Sequence, residues 1–489
     1  MNNRNPSLPQ HPGLLKVRDV PKRAHGRLFQ GLENDGATFS KPWKKRWSHF
    51  PILGTLLCAL GLPLWFSASA QDLVRPEQVM RAALAHSPAL QSAASEERAA
   101  AARMDQARAA GRFSISADAR AAHYWGLSDQ QLGPQITIPG IPSRYGAGLQ
   151  ATQPLFTGGR ITHERAAASA VHDAAGHAQR GAEADVTLAA LSAYWGWSKA
   201  VSAVASFHAA VKRVERHNTD MQNNQKAGLV TESDALATTV QLENTRLQLT
   251  EAERRVETAR AQLAYLTGRT LPVTAQPLAA AATNTAAPPV ETALLELART
   301  NRAEVAAHRQ EVRAAEEKIE AARADRRPQV ALAARYEQVR PNMLIIPPAD
   351  EWNDDGFVGV TASWNLFDSG LTRAKVAEAT ARRDQARQRQ QLTADRIALE
   401  VRAARVDQAN ASERLAVALR AAESARRSLK VADDLWKNGL TRHVELLDAH
   451  AQLTAAEFQV IAARADVELT RAALDHATGG KQWRGGVME

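Results

Sequence analysis

The chain contains one long segment that occurs twice without a gap. Residues 153–268 align with residues 364–479 at a constant offset of 211. The positions that coincide are typical of turns and of junctions between elements: Leu155, Phe156 and Gly159 match Leu366, Phe367 and Gly370; Lys226, Gly228 and Leu229 match Lys437, Gly439 and Leu440; Thr267 and Gly268 match Thr478 and Gly479. The two copies are thus identical mainly at positions where the backbone must bend. This indicates a duplicated structural unit and not an active site.

Charge is concentrated at the N-terminus. The formal net charge is +9, but residues 1–70 hold ten Lys and Arg against three Asp and Glu, so the remainder carries only +2. A basic groove for nucleic acid is therefore not expected. Few aromatics, abundant alanine and alternating charges along proline-free stretches favour long helices over a compact globule.

Residues 1–70 are predicted to be a leader ending in a signal peptide. A basic segment, residues 41–46, precedes an apolar run at residues 50–66 and small residues at 67–70. A membrane anchor is the alternative, although the run is at the short limit for a spanning helix. The only cysteine, Cys58, lies inside this run and follows a leucine, which argues against lipidation.

Four segments of about ten residues alternate apolar and polar side chains, the period of a β-strand. This is also the strand length that crosses a bilayer at a tilt. Because four strands cannot close a barrel and an open edge is not tolerated in hydrocarbon, a membrane interpretation requires several chains to share one barrel. A small soluble sheet with one wet face is the alternative. The strands are predicted at residues 113–125, 144–154, 329–339 and 357–367.

Two unbroken helices of about 100 Å are predicted, one from residue 159 to 225 and one from 371 to 436. Shorter helices should stack end to end beside each of them: residues 79–112 and 231–267 in the first half, 291–327 and 442–478 in the second. Sustained heptad spacing in the shorter helices predicts left-handed coiled coils. The aromatic residues at 194–197 fall where two short helices should abut, which favours core packing over a ligand site.

Three motifs together resemble the TolC family of outer-membrane exit ducts. They are residues 153–160 (QPLFTGGR), 364–370 (WNLFDSG) and 84–90 (LAHSPAL), and the resemblance extends from about Val74 to Gly479. It implies a mainly α fold with a transmembrane β-barrel portion: four strands per chain, a homotrimer closing a 12-stranded barrel, and a long coiled-coil helical tunnel in the periplasm.

The resemblance also assigns roles to residues. It implies adaptor-docking tips at Gly228, Leu229, Thr231, Gly439 and Leu440, an entrance gate at Glu445 and Asp448, and a strand-to-helix motif of Leu155, Phe156, Gly158, Gly159, Leu366, Phe367 and Gly370. The family has aspartate where this chain has Glu445. The simpler alternatives are that the glycines only make turns and that the two carboxylates form a solvated acidic face.

An outer-membrane exit duct that passively conducts substrate is the function that the sequence favours. It would receive substrate from a periplasmic adaptor protein and an inner-membrane ABC or proton-driven pump, either in type I protein secretion or in small-molecule efflux. A periplasmic coiled-coil adaptor or structural protein is the alternative. Neither catalysis nor a cofactor is expected, since no nucleophile elbow, phosphate-binding loop or metal-ligand spacing of histidines is present in the sequence.

The repeats and junctions give the predicted organisation. It comprises a leader and signal peptide (1–70), a first repeat (71–268) with a tip turn at 226–231, a linker (269–290), a second repeat (291–479) with a tip turn at 437–442, and a C-terminal tail (480–489).

Overall fold

The computed structural model describes residues 73–272, 276–277 and 290–480. The predicted signal peptide with Cys58, most of the linker and residues 481–489 lie outside the described residues. The helices are α1 (Pro76–His86), α2 (Pro88–Ala109), α3 (Arg160–Lys226), α4 (Glu232–Thr267), α5 (Glu291–Asn301), α6 (Ala303–Arg323), α7 (Leu371–Lys437) and α8 (His443–Ala477). The strands are β1 (Leu73–Val74), β2 (Ser114–His123), β3 (Gln130–Leu132), β4 (Ile136–Ile138), β5 (Ser143–Phe156), β6 (Gln276–Pro277), β7 (Gln329–Arg340) and β8 (Asn353–Ser363).

The two long helices, α3 and α7, have 67 residues each and start 211 positions apart. The prediction of single helices at 79–112 and 291–327 was wrong, because each is broken. Pro88 lacks an amide proton and disfavours helix at Ser87, whose hydroxyl instead accepts the amide of Leu90 at 3.3 Å. Arg302 interrupts the other helix with an extended backbone, ψ 124°. No proline marks that second break.

Helices α2, α3, α6 and α7 lie side by side in the part of the helical region next to the sheet. In the part away from the sheet, α4 packs on α3, α8 packs on α7, and α3 contacts α8. The aromatic cluster lies where α1 meets the end of α4, packed on Val79, Met80 and Leu263. Within the described ranges, no helix combines the length and the apolarity that crossing a membrane requires.

One four-stranded antiparallel sheet, ordered β2-β5-β7-β8, adjoins the helices. The four predicted strands are confirmed, but the fourth begins at Asn353 and ends at Ser363 instead of covering 357–367. The predicted strand omitted the acidic residues Asp354 and Asp355, which precede Phe357. They are strand residues because they continue the ladder with β7, where Asn353 pairs with Val339.

The register places all four apolar faces on the same side of the sheet. Ile115, Ala151, Ala334 and Val358 form one continuous row across the four strands. The larger apolar side chains of this face are exposed in the single chain. One face of the sheet is therefore largely apolar, with Gln153, Gln338 and Asp354 toward its ends, and the opposite face is more polar. The outermost strands are β2 and β8.

Candidate functional site

The junctions from strand to long helix depend on left-handed glycines. Gly159 (φ 92°) and Gly370 (φ 88°) are the N-caps of α3 and α7. Gly158 (φ 64°) lies close to Arg327, whose Nη1 donates to the Gly158 carbonyl oxygen at 2.7 Å. A Cβ on Gly158 would lie 2.7 Å from the Cβ of Arg327. The two motifs thus make the same turn, but only the first is packed against the opposite repeat.

Asp368 strengthens the second junction. Its carboxylate accepts the amides of Gly370 at 3.0 Å and Thr372 at 2.8 Å, so it caps the start of α7. These hydrogen bonds, first of all those from Thr372, hold the pKa of Asp368 below its ordinary value. The four apolar residues of the two motifs all remain exposed beside the sheet: Leu155, Phe156, Leu366 and Phe367.

On the polar face, charged side chains pair across three strands. Arg335 on β7 lies 3.2 Å from Asp118 on β2 and 2.7 Å from Glu337, and Arg120 on β2 lies 3.4 Å from Glu337. The intervening strand β5 has glycines at this level, which leave room for side chains to reach across it. At one of them, Gly148, a Cβ would lie 2.9 Å from the Cβ of Glu337. The polar face therefore carries charged side chains of both signs that form ion pairs with one another.

The two tip turns have the same geometry. Gly228 (φ 71°) and Gly439 (φ 70°) follow the long helices, and the next amide, from Leu229 or Leu440, donates back to a carbonyl five residues earlier at 2.9 Å. This is a Schellman motif, in which the residue after the glycine commonly packs on its own helix. Here Leu229 is 74% exposed and Leu440 is 72% exposed. Thr231 caps α4 through the amide of Asp234 at 3.2 Å.

The predicted gate residues lie on the exposed side of α8, close to the second tip. Glu445 accepts a hydrogen bond from the Thr441 hydroxyl and lies 3.4 Å from Arg442. These neighbours, Thr441 first, lower the pKa of the Glu445 carboxyl. Asp448 is exposed and forms no ion pair within the described part of the chain. The two carboxylates therefore share a face but differ in how far their charge is compensated.

Sequence reasoning missed a cluster of charges at the break between α5 and α6. Arg302, 5% exposed, pairs with Glu304 at 2.8 Å and Glu400 at 3.2 Å, and donates to the His476 carbonyl oxygen at 2.9 Å. His476 in turn lies 2.8 Å from Asp185. No local motif signals this cluster, because its members come from the break itself and from four helices. Across the described ranges, no group of three or more potential ligands is arranged to hold a metal ion.

The sequence model of the family described as "Outer membrane efflux protein" matches residues 79–269 and 294–480, which is most of both repeats. Protein CyaE of Bordetella pertussis is 33% identical over 146 residues, and this match spans only 30% of that relative and 30% of this chain.

Solved structures extend the likeness to nearly the whole fold. A membrane protein from Pseudomonas aeruginosa superimposes with a TM-score of 0.72 at 22% identity, covering 83% of this chain and 90% of that one. The open state of the MtrE outer membrane channel of Neisseria gonorrhoeae superimposes with a TM-score of 0.67 at 18% identity, covering 83% and 89%. At such identities the likeness establishes the fold.

Proposed function

This chain belongs to the outer membrane efflux protein family, a family of non-enzymatic TolC-type outer-membrane channels, and we propose that it is the outer-membrane exit duct of a tripartite export system. The duct conducts substrate passively, since energy must come from a partner in the inner membrane. The observation that carries the proposal is a four-stranded sheet with one largely apolar face and two outermost strands, β2 and β8, that no further described strand covers.

Assembly of three chains satisfies both properties of the sheet. In hydrocarbon, unpaired strand edges are too costly, because their backbone groups find no water. Pairing β8 of each chain with β2 of the next would close a barrel of 12 strands, enough for a water-filled interior. The apolar face would then contact lipid, and the paired charges around Arg335 and Glu337 would face the lumen. The helices would continue the barrel as a tunnel in the periplasm.

The tips are the proposed contact with a periplasmic adaptor. Leu229 and Leu440 project from two turns of the same geometry and are more than 70% exposed. An apolar residue after a left-handed glycine usually contacts its own helix, so its exposure at both turns supports a role in contacting another protein. Two equivalent turns per chain would give a trimer six such contact points.

The lipid-facing role of the sheet can be tested with adjacent residues of β8. Val360 lies on the apolar face and Thr361 on the polar face, and both are exposed in the single chain. Val360→Lys should weaken membrane assembly by about 2–4 kcal/mol, the cost of lysine in the middle of a lipid-facing strand, whereas Thr361→Lys should assemble normally. The measurement is the fraction of full-length protein recovered as trimer from carbonate-extracted outer membranes.

Each outcome of this experiment decides between the duct and its alternatives. In a soluble protein with this structure, Val360 would stay exposed to water and would tolerate lysine as any surface residue does. An adaptor, in turn, need not remain in the outer membrane. Equal recovery of both variants, or wild type in the soluble fraction, would therefore contradict the duct.

The class of cargo is tested separately in cells that lack their own duct. We propose that the chain serves either a protein secretion pump or a small-molecule pump, and the two differ in what they restore. Complementation that restores tolerance to small toxic compounds identifies an efflux duct. Complementation that restores release of a large protein into the medium identifies a secretion duct.

A further inference from the structure

Three histidines that the duct function does not explain meet beneath the second tip. The ring of His217 on α3 stacks on that of His443 on α8, with centroids 5.2 Å apart and planes inclined by 28°. The ring of His450, also on α8, lies 5.6 Å from that of His217. Trp436 of α7 packs on His443 at 5.2 Å. We call these three histidines the histidine joint.

The joint connects two pairs of helices. Helices α3 and α4 form one pair and α7 and α8 the other. The Thr238 hydroxyl of α4 lies 2.8 Å from Nε2 of His443. Side chains from all four helices therefore meet here, within about three helical turns of the point where both pairs end. A change in the joint alters how closely the two pairs are held together.

Hydrogen bonding favours the uncharged forms of His443 and His217. The Thr238 hydroxyl donates to the Asp234 carbonyl oxygen at 2.9 Å, so its oxygen accepts from Nε2–H of His443. In the neutral ring this places the only proton on Nε2, so Nδ1 of His443 carries none, and this atom is buried with no partner. Nε2 of His217 is likewise buried and unpartnered. Protonation of either ring would bury a cationic N–H that donates to nothing, which is costly.

Of the charged side chains around the joint, some favour the protonated forms of its histidines and others disfavour them. Asp433 of α7 favours the charged forms of His217 and His450, and Asp234 of α4 favours that of His443. Arg213 of α3, paired with Glu457 of α8 at 3.0 Å, disfavours the charged form of His450.

Burial lowers the pKa values of the three histidines by more than the two aspartates raise them. It is the main cause that lowers the pKa of His217 to about 4, with its two histidine neighbours adding to the effect. Burial also lowers the pKa values of His443 and His450.

We propose that the histidine joint is a proton-sensitive latch that holds the α3–α4 pair against the α7–α8 pair at neutral pH and releases it under acidic conditions. Because the pKa values are lowered only while the joint is packed, the separated state takes up protons first as the pH falls. The packed state is fully favoured above about pH 6.5, the ordinary histidine pKa. Below that pH its population relative to the separated state falls by up to about tenfold per pH unit for each histidine that the separated state protonates. For His217 this loss continues until the pH reaches about 4.

Distances between the tips test the latch directly. Spin labels on Leu229→Cys and Leu440→Cys, both exposed, report the separation of the two turns in the full chain reconstituted in lipid. We expect a longer distance whose population rises by at least about tenfold between about pH 7.5 and about pH 4.5. In His217→Gln/His443→Gln/His450→Gln the distances should not depend on pH. The control is His208→Gln, which replaces an exposed histidine of α3, the helix that also carries His217. This variant should behave as wild type.

An invariant distance in the wild type, or an equal change in the triple variant, overturns the latch. If the triple variant fails to assemble, His217→Phe takes its place, because phenylalanine keeps an aromatic ring in the stack but cannot be protonated. The latch then requires a smaller pH-dependent change in the distance between the labels than in wild type. The consequence for transport rests on the proposed function, so conductance is measured on the same samples. If the distance between the two labels lengthens at acidic pH but the conductance does not rise, the latch is supported. The same result contradicts the assignment of these tips to the entrance of the duct.

Discussion

The phenolic oxygen of Tyr194 lies 2.9 Å from the backbone carbonyl oxygen of Val74 and donates a hydrogen bond to it. This contact joins the middle of α3 to β1, which precedes α1 and pairs with β6 of the linker. The Tyr194 ring is fully buried and makes edge contacts with Trp195 at 5.0 Å and Trp197 at 6.0 Å. The aromatic residues thus form the packing centre where the stacked helices meet.

Tyr194→Phe removes this hydrogen bond but keeps the ring. We expect it to lower the free energy of unfolding by about 1 kcal/mol, the usual net value of such a bond. Trp197→Ala, at an equally buried position, should cost about 3–5 kcal/mol, because it leaves a large cavity. Chemical denaturation of the purified trimer, followed by circular dichroism, measures both. A larger loss for Tyr194→Phe than for Trp197→Ala would show that the hydrogen bond, and not packing, dominates this centre.

Two junction glycines should differ in how well they tolerate alanine. Both have positive φ, which costs an alanine about 1–2 kcal/mol. Gly370 has open space where a Cβ would lie, so Gly370→Ala should cost only that amount. Gly158 has the Cβ of Arg327 at 2.7 Å and the Ala324 carbonyl oxygen at 2.8 Å from that position, so Gly158→Ala should cost about 1–3 kcal/mol more. Equal losses in unfolding experiments would indicate that the backbone at Arg327 moves away freely.

Local patterns predicted the parts of the fold that repeat with a regular period. Alternation over residues such as Ile115 and Val358 predicted the four strands and their apolar faces, and the offset of 211 related α3 to α7. The break at Arg302 could not be predicted, because no proline marks it and ion-pair partners of Arg302 such as Glu400 lie about a hundred residues away. The histidine joint is equally non-local: His217 and His443 belong to different repeats, and neither has a histidine at its equivalent position.

The ion-pair cluster around Arg302 should give stability its own pH dependence. The hydrogen bond from His476, and then Arg302, lowers the pKa of Glu400 to about 2, so its contribution is present above about 4.5 and lost as the pH falls toward 2. Hydrogen bonds to Glu400 and Asp185 raise the pKa of His476, so its contribution is present below about 6.5 and lost as the pH rises through the raised value.

His476→Gln tests this dependence, because glutamine retains hydrogen bonding without the positive charge. The variant should be less stable than wild type by about 1 kcal/mol between about pH 4.5 and pH 6.5, a modest value since Glu400 is partly exposed. The difference should shrink at higher pH. Taking the difference between the two proteins at each pH cancels the effects of the other histidines. A difference that does not vary with pH would leave His476 with a packing role only.

The two proposed gate residues should contribute unequally. Asp448 forms no ion pair among the described residues, whereas Glu445 is partly neutralised by Arg442 and held by Thr441 at the first turn of α8. Three copies of Asp448 around a narrow axis would attract cations and repel anions. Asp448→Ala is therefore expected to raise the conductance of the isolated duct and to lower its preference for cations by at least about twofold, with a smaller effect for Glu445→Ala.

Single-channel recordings in planar bilayers, with unequal salt on the two sides, give both the conductance and the ion preference. Glu232→Ala is the matched control, because it removes an exposed carboxylate from the first turn of α4, at the other tip. Its currents should equal those of wild type, since it lies on the other helix pair. If Asp448→Ala and Glu445→Ala also left the currents unchanged, the acidic face of α8 would be an ordinary solvated surface and the entrance would be held closed by other contacts.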